Sequence, residues 1–354
     1  MQRRFVVVAL FGLLTLVGLG LTAAEAPTYV FRLAHISDVT HPSHKGALLF
    51  KQIVEDLTNG KVRIDIYPNS MLGSAPEYGE QIRMGLLEMG LLTSGQLQAW
   101  VKEYSVVMTP FLFSSYEHAH LVLDGPAGQF LAKLAERENF HVIADWEWGF
   151  RQITNSVRPI NTPDDIAGLK MRVPLEFQLV EMYKALGAVT TTISFPELYM
   201  ALAQRVADGQ CNPLATIYAQ KFYEVQKYLA ITNHVYNSQM LVISKSLWDT
   251  LPDDIKEILT TAGRVAGLYV RQLVQQSEQK IIEELKARGV IVTYPDLSLF
   301  REKVKPAMDA VAQAVGVEFA NVFFKIVNEE RTNIENEMAR GEEWLRELQA
   351  AVSK

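Results

Sequence analysis

The stretch between Pro252 and Arg288 contains no proline, and apolar residues recur through it at helical spacing: Ile255, Leu259, Val265, Leu268, Val270, Leu273, Ile281 and Leu285. About 36 residues at roughly 1.5 Å each make a helix of about 54 Å, longer than one small lobe is wide. A chain of 354 residues with ordinary globular composition is expected to form two domains. A helix of this length must therefore span both. Gly263 and Gly267 are expected to let it bend.

The chain opens as an α/β lobe. Tyr29 to Ala34 reads as a strand, and Gly46 to Leu57 as a helix that ends at Asn59-Gly60. Val62, Ile64 and Ile66 alternate with Arg63 and Asp65 as a half-buried strand. Such a β-α-β unit is the usual start of an α/β fold. Leu86 to Leu92 reads as a further strand, which puts Thr93, Ser94 and Gln96 at its carboxyl end, where open α/β sheets bind ligands. Val142 to Trp146 is a strand closing the first lobe. Beyond it Thr162-Pro163-Asp164-Asp165 reads as a helix start, Phe177 to Leu186 as a helix, and Ser194-Phe195-Pro196-Glu197 as a capping box opening another. An apolar strand, Gln239 to Ser244, follows.

In Gly168-Leu169-Lys170-Met171-Arg172-Val173-Pro174, Leu169, Met171 and Val173 alternate with Lys170 and Arg172, giving a short strand with one apolar and one cationic face. No acid within the strand answers that charge, and the arginine fork matches a carboxylate bidentately. Arg151 lies upstream and Asn212 downstream, and the three are expected to converge on a ligand carboxylate. An isolated strand arginine is ordinarily a surface or salt-bridged residue. Thr93, Ser94, Gln96, Glu147 and Gln152 supply a polar lining and Trp148 and Phe195 walls, which together suit a hydroxylated acid. Trp146 and Trp148 are expected to divide between core and cleft.

Five segments in order, Phe150-Arg151-Gln152, the strand Gly168 to Pro174, Ser194 to Leu202, Asp208-Gly209-Gln210-Cys211-Asn212-Pro213, and Lys221 to Tyr228, resemble the extracytoplasmic solute-binding proteins of tripartite ATP-independent periplasmic (TRAP) transporters, in the branch of dicarboxylate and sialic acid binders. The resemblance runs from about Tyr29 to Pro306. It implies a two-lobe periplasmic binding protein of the Venus-flytrap type, with the long helix spanning both lobes. It also implies that Arg172, Arg151 and Asn212 hold the ligand carboxylate, that Phe195 packs against the ligand, and that His35 joins the site. Lobe I is then expected at 27–149 and 238–277, lobe II at 150–237 and 278–315, and a C-terminal helical extension at 316–354. Related sialic acid binders carry acids near Ser74 and Thr93, so their absence argues against sialic acid. Cys211 stands where many members have Glu.

The N-terminus has Arg3 and Arg4, an apolar run from Phe5 to Leu21, then Thr22-Ala23-Ala24-Glu25-Ala26, the layout of a secretory signal peptide. The rival reading is a membrane anchor, but small residues follow directly and cleavage near residue 26 is expected. Removing residues 1–26 deletes Arg3, Arg4 and Glu25 and takes the formal charge from -6 to -7. An acidic chain with scattered basic residues is a poor nucleic-acid binder. Cys211 is the only cysteine, so no internal disulfide can form. The seven histidines show no ligand spacing that completes a zinc shell, and no nucleophile elbow, phosphate loop or dinucleotide fingerprint occurs. Neither metal nor cofactor is expected. The partners implied are a small organic acid, whether sugar acid, hydroxy acid or dicarboxylate, and the TRAP membrane subunits. The protein is expected in the periplasm as a monomer or weak homodimer. A ligand-sensing receptor subunit and a secreted enzyme acting on carboxylates remain as alternatives.

Overall fold

Phe31 and Leu33 on one strand and Val62 and Ile64 on the next bury the same apolar face, and the strands pair in parallel with Phe31 opposite Ile64. This pairing begins a computed structural model that describes residues 26–352, with 337–352 described by their backbone alone. The signal-peptide reading lies, apart from Ala26, outside the described residues.

Among the described residues ten strands form one continuous sheet. They are β1 (Tyr29–Ala34), β2 (Val62–Tyr67), β3 (Met89–Thr93), β4 (Phe140–Asn155), β5 (Lys170–Val173), β6 (Val189–Thr192), β7 (Gly209–Pro213), β8 (Tyr228–Ala230), β9 (Tyr236–Ser244) and β10 (Ile291–Thr293). Their order is β2-β1-β3-β9-β4-β7-β5-β6, with β8 on β4 and β10 on β8. The helix Pro42–Leu57 joins β1 to β2 and starts earlier than Gly46, because His41 caps it by accepting from Ser43 N and Pro42 fits the first turn.

β4 is the largest departure from the sequence reading. It runs for 16 residues where only Val142 to Trp146 is expected. Its first part, Phe140 to Phe150, pairs with β9 in the first lobe, and Arg151 to Asn155 pairs with β7 in the second. A register shift between Glu147 and Gly149, with Gly149 at φ 114°, breaks the alternation there and hides the strand's continuity. The same irregularity separates the two tryptophans. Trp146 enters the core beside Phe50 and Val270, and Trp148 turns to the opposite side with Phe150.

The long helix is Asp253–Ala287, 35 residues. Ile255, Leu259, Ala266, Val270 and Val274 pack in the first-lobe core, and Ile281, Ile282 and Leu285 in the second-lobe core with Leu198, Leu214 and Phe222. Its glycines serve close approach. A β-carbon at Gly267 would lie 2.7 Å from Trp146 Cδ1, and one at Gly263 2.7 Å from Ile143 Cγ2. The Trp146 indole N–H donates to Gly263 O at 2.9 Å through the gap. Beyond the helices Leu297–Lys303 and Lys305–Val315, Gly316 at φ 103° turns the chain into the last helix, Val317–Val352. That helix returns to the first lobe, where Phe323 and Val327 join Phe113 and Ala119. Among the described residues no helix is long and apolar enough to cross a membrane.

Candidate functional site

The fully buried strand β3 delivers Thr93 to the cleft, and the single helical turn Ser94–Leu97 follows, with Gln96 Oε1 accepting from Thr93 N at 2.9 Å. Facing them, β5 presents Arg172, β4 presents Arg151 as its first residue paired to β7, and β7 presents Asn212. The cavity between them measures about 260 Å³. Ile36, Ser74, Thr93, Gln96 and Trp148 line it from the first lobe. From the second lobe come Arg151, Arg172, Glu176, Ser194, Phe195 and Asn212. Among the described residues, the charged side chains on this cavity are Arg151, Arg172 and Glu176.

Arg172 is 2% exposed. Its Nε donates to Ile193 O at 2.9 Å, while its Nη2 is buried without a partner. Burial pulls its pKa down to about 10, with Arg151 acting in the same direction and Glu176 opposing. Arg151 is more firmly tied. Its Nη1 donates to Asn237 Oδ1 at 2.9 Å, its Nε to Cys211 Sγ at 3.3 Å, and its Nη2 to Cys211 O. Asn212 Nδ2 donates to Gln210 Oε1 at 2.6 Å. The protein thus fixes Arg151 and leaves donor capacity on Arg172, which suits recognition of an anion.

Trp148 and Phe195 form an aromatic wall, with ring centroids 6.4 Å apart, and His41 lies over Trp148 at 4.8 Å. The Ser194 hydroxyl bonds to the Glu197 carboxylate at 2.5 Å, but the helix itself starts at Leu198, so Phe195 sits in the turn before it.

The structure does not bring four of the expected residues to this wall. His35 is buried with its Nε2 3.1 Å from His44 Nδ1, because it lies directly after β1 beneath the following helix. Ser94 begins the helical turn and accepts from Asn237 Nδ2 at 3.5 Å. Gln152 pins a loop, its Oε1 accepting from Thr232 N at 2.8 Å and Asn233 N at 3.0 Å. Glu147 is fully buried with Oε2 2.7 Å from His120 Nε2. Burial pushes Glu147 up to about 8, with the nearby Tyr236 hydroxyl acting the other way, and burial pushes His120 down to about 4. Burial thus favours the neutral form of each partner in this contact.

Glu176 is the residue that sequence reasoning missed. It lies two residues past Pro174 on the loop leaving β5, and an acid placed just beyond the carboxyl end of a cationic strand was the available signal. Burial raises its carboxyl above the usual range, and Arg151 and Arg172 oppose that rise. Among the described residues no group of three or more His, Cys, Asp and Glu is placed to hold a metal ion.

Residues 33–314 match the model of the bacterial extracellular solute-binding protein family 7, DctP. The chain belongs to this family. It is 34% identical over 264 residues to the sialic acid-binding periplasmic protein SiaP of Vibrio cholerae, covering 74% of this chain and 82% of SiaP. To the 2,3-diketo-L-gulonate-binding periplasmic protein YiaO of Escherichia coli it is 33% identical over 272 residues, covering 77% and 83%. Among solved structures, a TRAP periplasmic solute-binding protein from Polaromonas bound to D-erythronate shares 34% identity with a TM-score of 0.81, covering 84% of this chain and 98% of that one. The sugar acid binding protein DctPAm from Advenella mimigardefordensis, in complex with galactonate, shares 30% identity with a TM-score of 0.83, covering 86% and 100%. The two-lobe fold expected of a family 7 protein is the fold observed, with the long helix packed in both cores.

Proposed function

We propose that this family 7 protein captures a small organic acid anion between its lobes, outside the cytoplasmic membrane, and delivers it unchanged to the membrane subunits of a TRAP transporter. The observation that carries the reading is the buried guanidinium of Arg172, whose Nη2 has no partner, on the wall of a cavity built by both lobes. A buried donor left unmade costs about 1–3 kcal/mol, and a carboxylate satisfies it. Thr93, Gln96, Ser194 and Asn212 offer further polar groups, and Trp148 and Phe195 an apolar wall. The two lobes, joined through β4 between Phe150 and Arg151 and through the long helix, move as units about the ligand, and the helix that begins at Val317 is seated on the first. Capture requires no chemistry of the site, and the lining hydroxyls of Ser74 and Ser194, bonded to Glu77 and Glu197 three residues on, close the turns that open the next helices.

Native mass spectrometry of freshly purified protein is the test. A retained organic acid, returned unchanged and displaced by added acid, supports the reading. A chemically converted acid, or tighter binding of neutral compounds than of their acids, would sink it. Co-purification with integral membrane subunits distinguishes delivery from sensing.

A further inference from the structure

Glu176 occupies the N-cap position of the helix Phe177–Ala185, yet its side chain makes no capping hydrogen bond. A carboxylate there ordinarily accepts from the second or third backbone N–H of the helix. Glu176 instead lines the interlobe cavity, 4% exposed, with Oε2 buried and unpartnered. Gly95 of the first lobe makes room for it. A β-carbon at Gly95 would lie 2.4 Å from Glu176 Cδ and 2.5 Å and 2.7 Å from its two oxygens. The cavity therefore holds one acceptor that the protein leaves unanswered, beside one donor, Arg172 Nη2, that it also leaves unanswered.

Building on the carboxylate capture proposed above, we infer that Glu176, as a carboxylate, selects monocarboxylates that bear a hydroxyl group and rejects dicarboxylates. Two guanidiniums and one carboxylate leave the wall with a formal charge of +1, which a single carboxylate neutralises. The ligand carboxylate takes Arg172, and a ligand O–H donates to Glu176 Oε2. Because Arg172 and Glu176 line the same wall, a short diacid held by Arg172 brings its second carboxylate toward Glu176, and juxtaposed like charges are strongly unfavourable.

Calorimetry with D-erythronate and succinate, two four-carbon acids, tests this on the mature protein and on Glu176→Gln and Arg172→Lys. The wild type is expected to bind D-erythronate at least about tenfold more tightly than succinate. Glu176→Gln keeps the size of the side chain and removes the charge, so it should bring the two affinities to within about threefold, chiefly by improving succinate. Circular dichroism establishes that the variant is folded. Equal or tighter binding of succinate by the wild type, or an unchanged ratio in Glu176→Gln, overturns the inference. If that occurs while Arg172→Lys still abolishes binding, carboxylate capture stands and only the selectivity fails. Failure of the wild type to bind either acid overturns both.

Discussion

Tyr116 Oη donates to Glu278 Oε1 at 2.6 Å and accepts from Phe150 N at 3.3 Å. One hydroxyl thus joins a first-lobe helix, the last β4 residue before the lobe junction, and the long helix between its two packing regions. Tyr116→Phe removes both bonds and leaves Glu278, whose carboxyl burial already raises, without the donor that opposes that rise. A loss of about 1–3 kcal/mol in unfolding free energy is expected, measured by urea denaturation at pH 7. An unchanged midpoint would mean that water replaces the hydroxyl at no cost.

Arg172→Ala and Arg172→Lys should each weaken binding of the captured acid by more than about tenfold, since each charge-assisted bond contributes about 1.5–3 kcal/mol and lysine lacks the planar fork. The ligand-free protein should melt almost unchanged, because Arg172 makes only the bond to Ile193 O within the protein. Calorimetry beside thermal melting decides between roles: near-normal affinity with lysine, or a collapse of melting in place of binding, would make Arg172 a structural residue.

Contacts that cross the cleft include His41 Nε2 to Thr216 Oγ1 at 3.2 Å, Gln178 Nε2 donating to Gln98 Oε1 at 3.1 Å, and Glu176 against Gly95. A ligand that touches both lobes stabilises the form in which these contacts exist. The radius of gyration from small-angle scattering should therefore fall on saturation. Gln98→Ala should weaken binding by roughly threefold to tenfold while leaving the cavity wall intact. A scattering profile identical with and without ligand would refute closure.

Glu147 sets a pH dependence with a definite sign. Its folded pKa, about 8, lies above the ordinary value of 4.5, so the folded state holds a proton that the unfolded chain releases. The stability this gives is complete below about pH 4.5 and is lost as pH rises through 8. Below about pH 6.5 the histidines that burial holds neutral, His35, His41, His120 and His234, oppose this slope, so melting temperature should fall from about pH 6.5 to pH 8, and Glu147→Gln should reduce the slope there by up to about 1.4 kcal/mol per pH unit. Asp145, also held far above its usual range by burial, keeps part of the slope in the variant. A variant with the full wild-type slope would show that Glu147 is ionised in the fold.

Much of the scaffold was legible because local periodicity and burial agree in it. β1 was read at its observed limits, and β2 and the long proline-free helix within a residue of theirs. Arg151, Arg172, Asn212, Thr93, Gln96, Trp148 and Phe195 lie together on one cavity, where chain order and strand ends placed them. What stayed hidden depends on partners distant in sequence. No pattern tells that Gly95 must be bare for Glu176, or that Gly267 and Gly263 seat a helix against Trp146. His35 and Glu147 look like site residues in a linear reading because both are polar and flank cleft segments. Their own partners, His44 and His120, hold them inside the first lobe.

Phe150 is paired to Tyr236 on β9 and Arg151 to Pro213 on β7, so adjacent residues of one strand belong to different halves of the molecule. A rotation of one half against the other must bend this strand next to the arginine, as it must bend the long helix that packs in both cores, and it strains the 2.9 Å bond from Arg151 to Asn237. Opening the cleft and disordering its anion grip are then the same event. On the proposed function, the ligand is let go by the motion that uncovers it, and a membrane partner that favours that motion would unload the cargo.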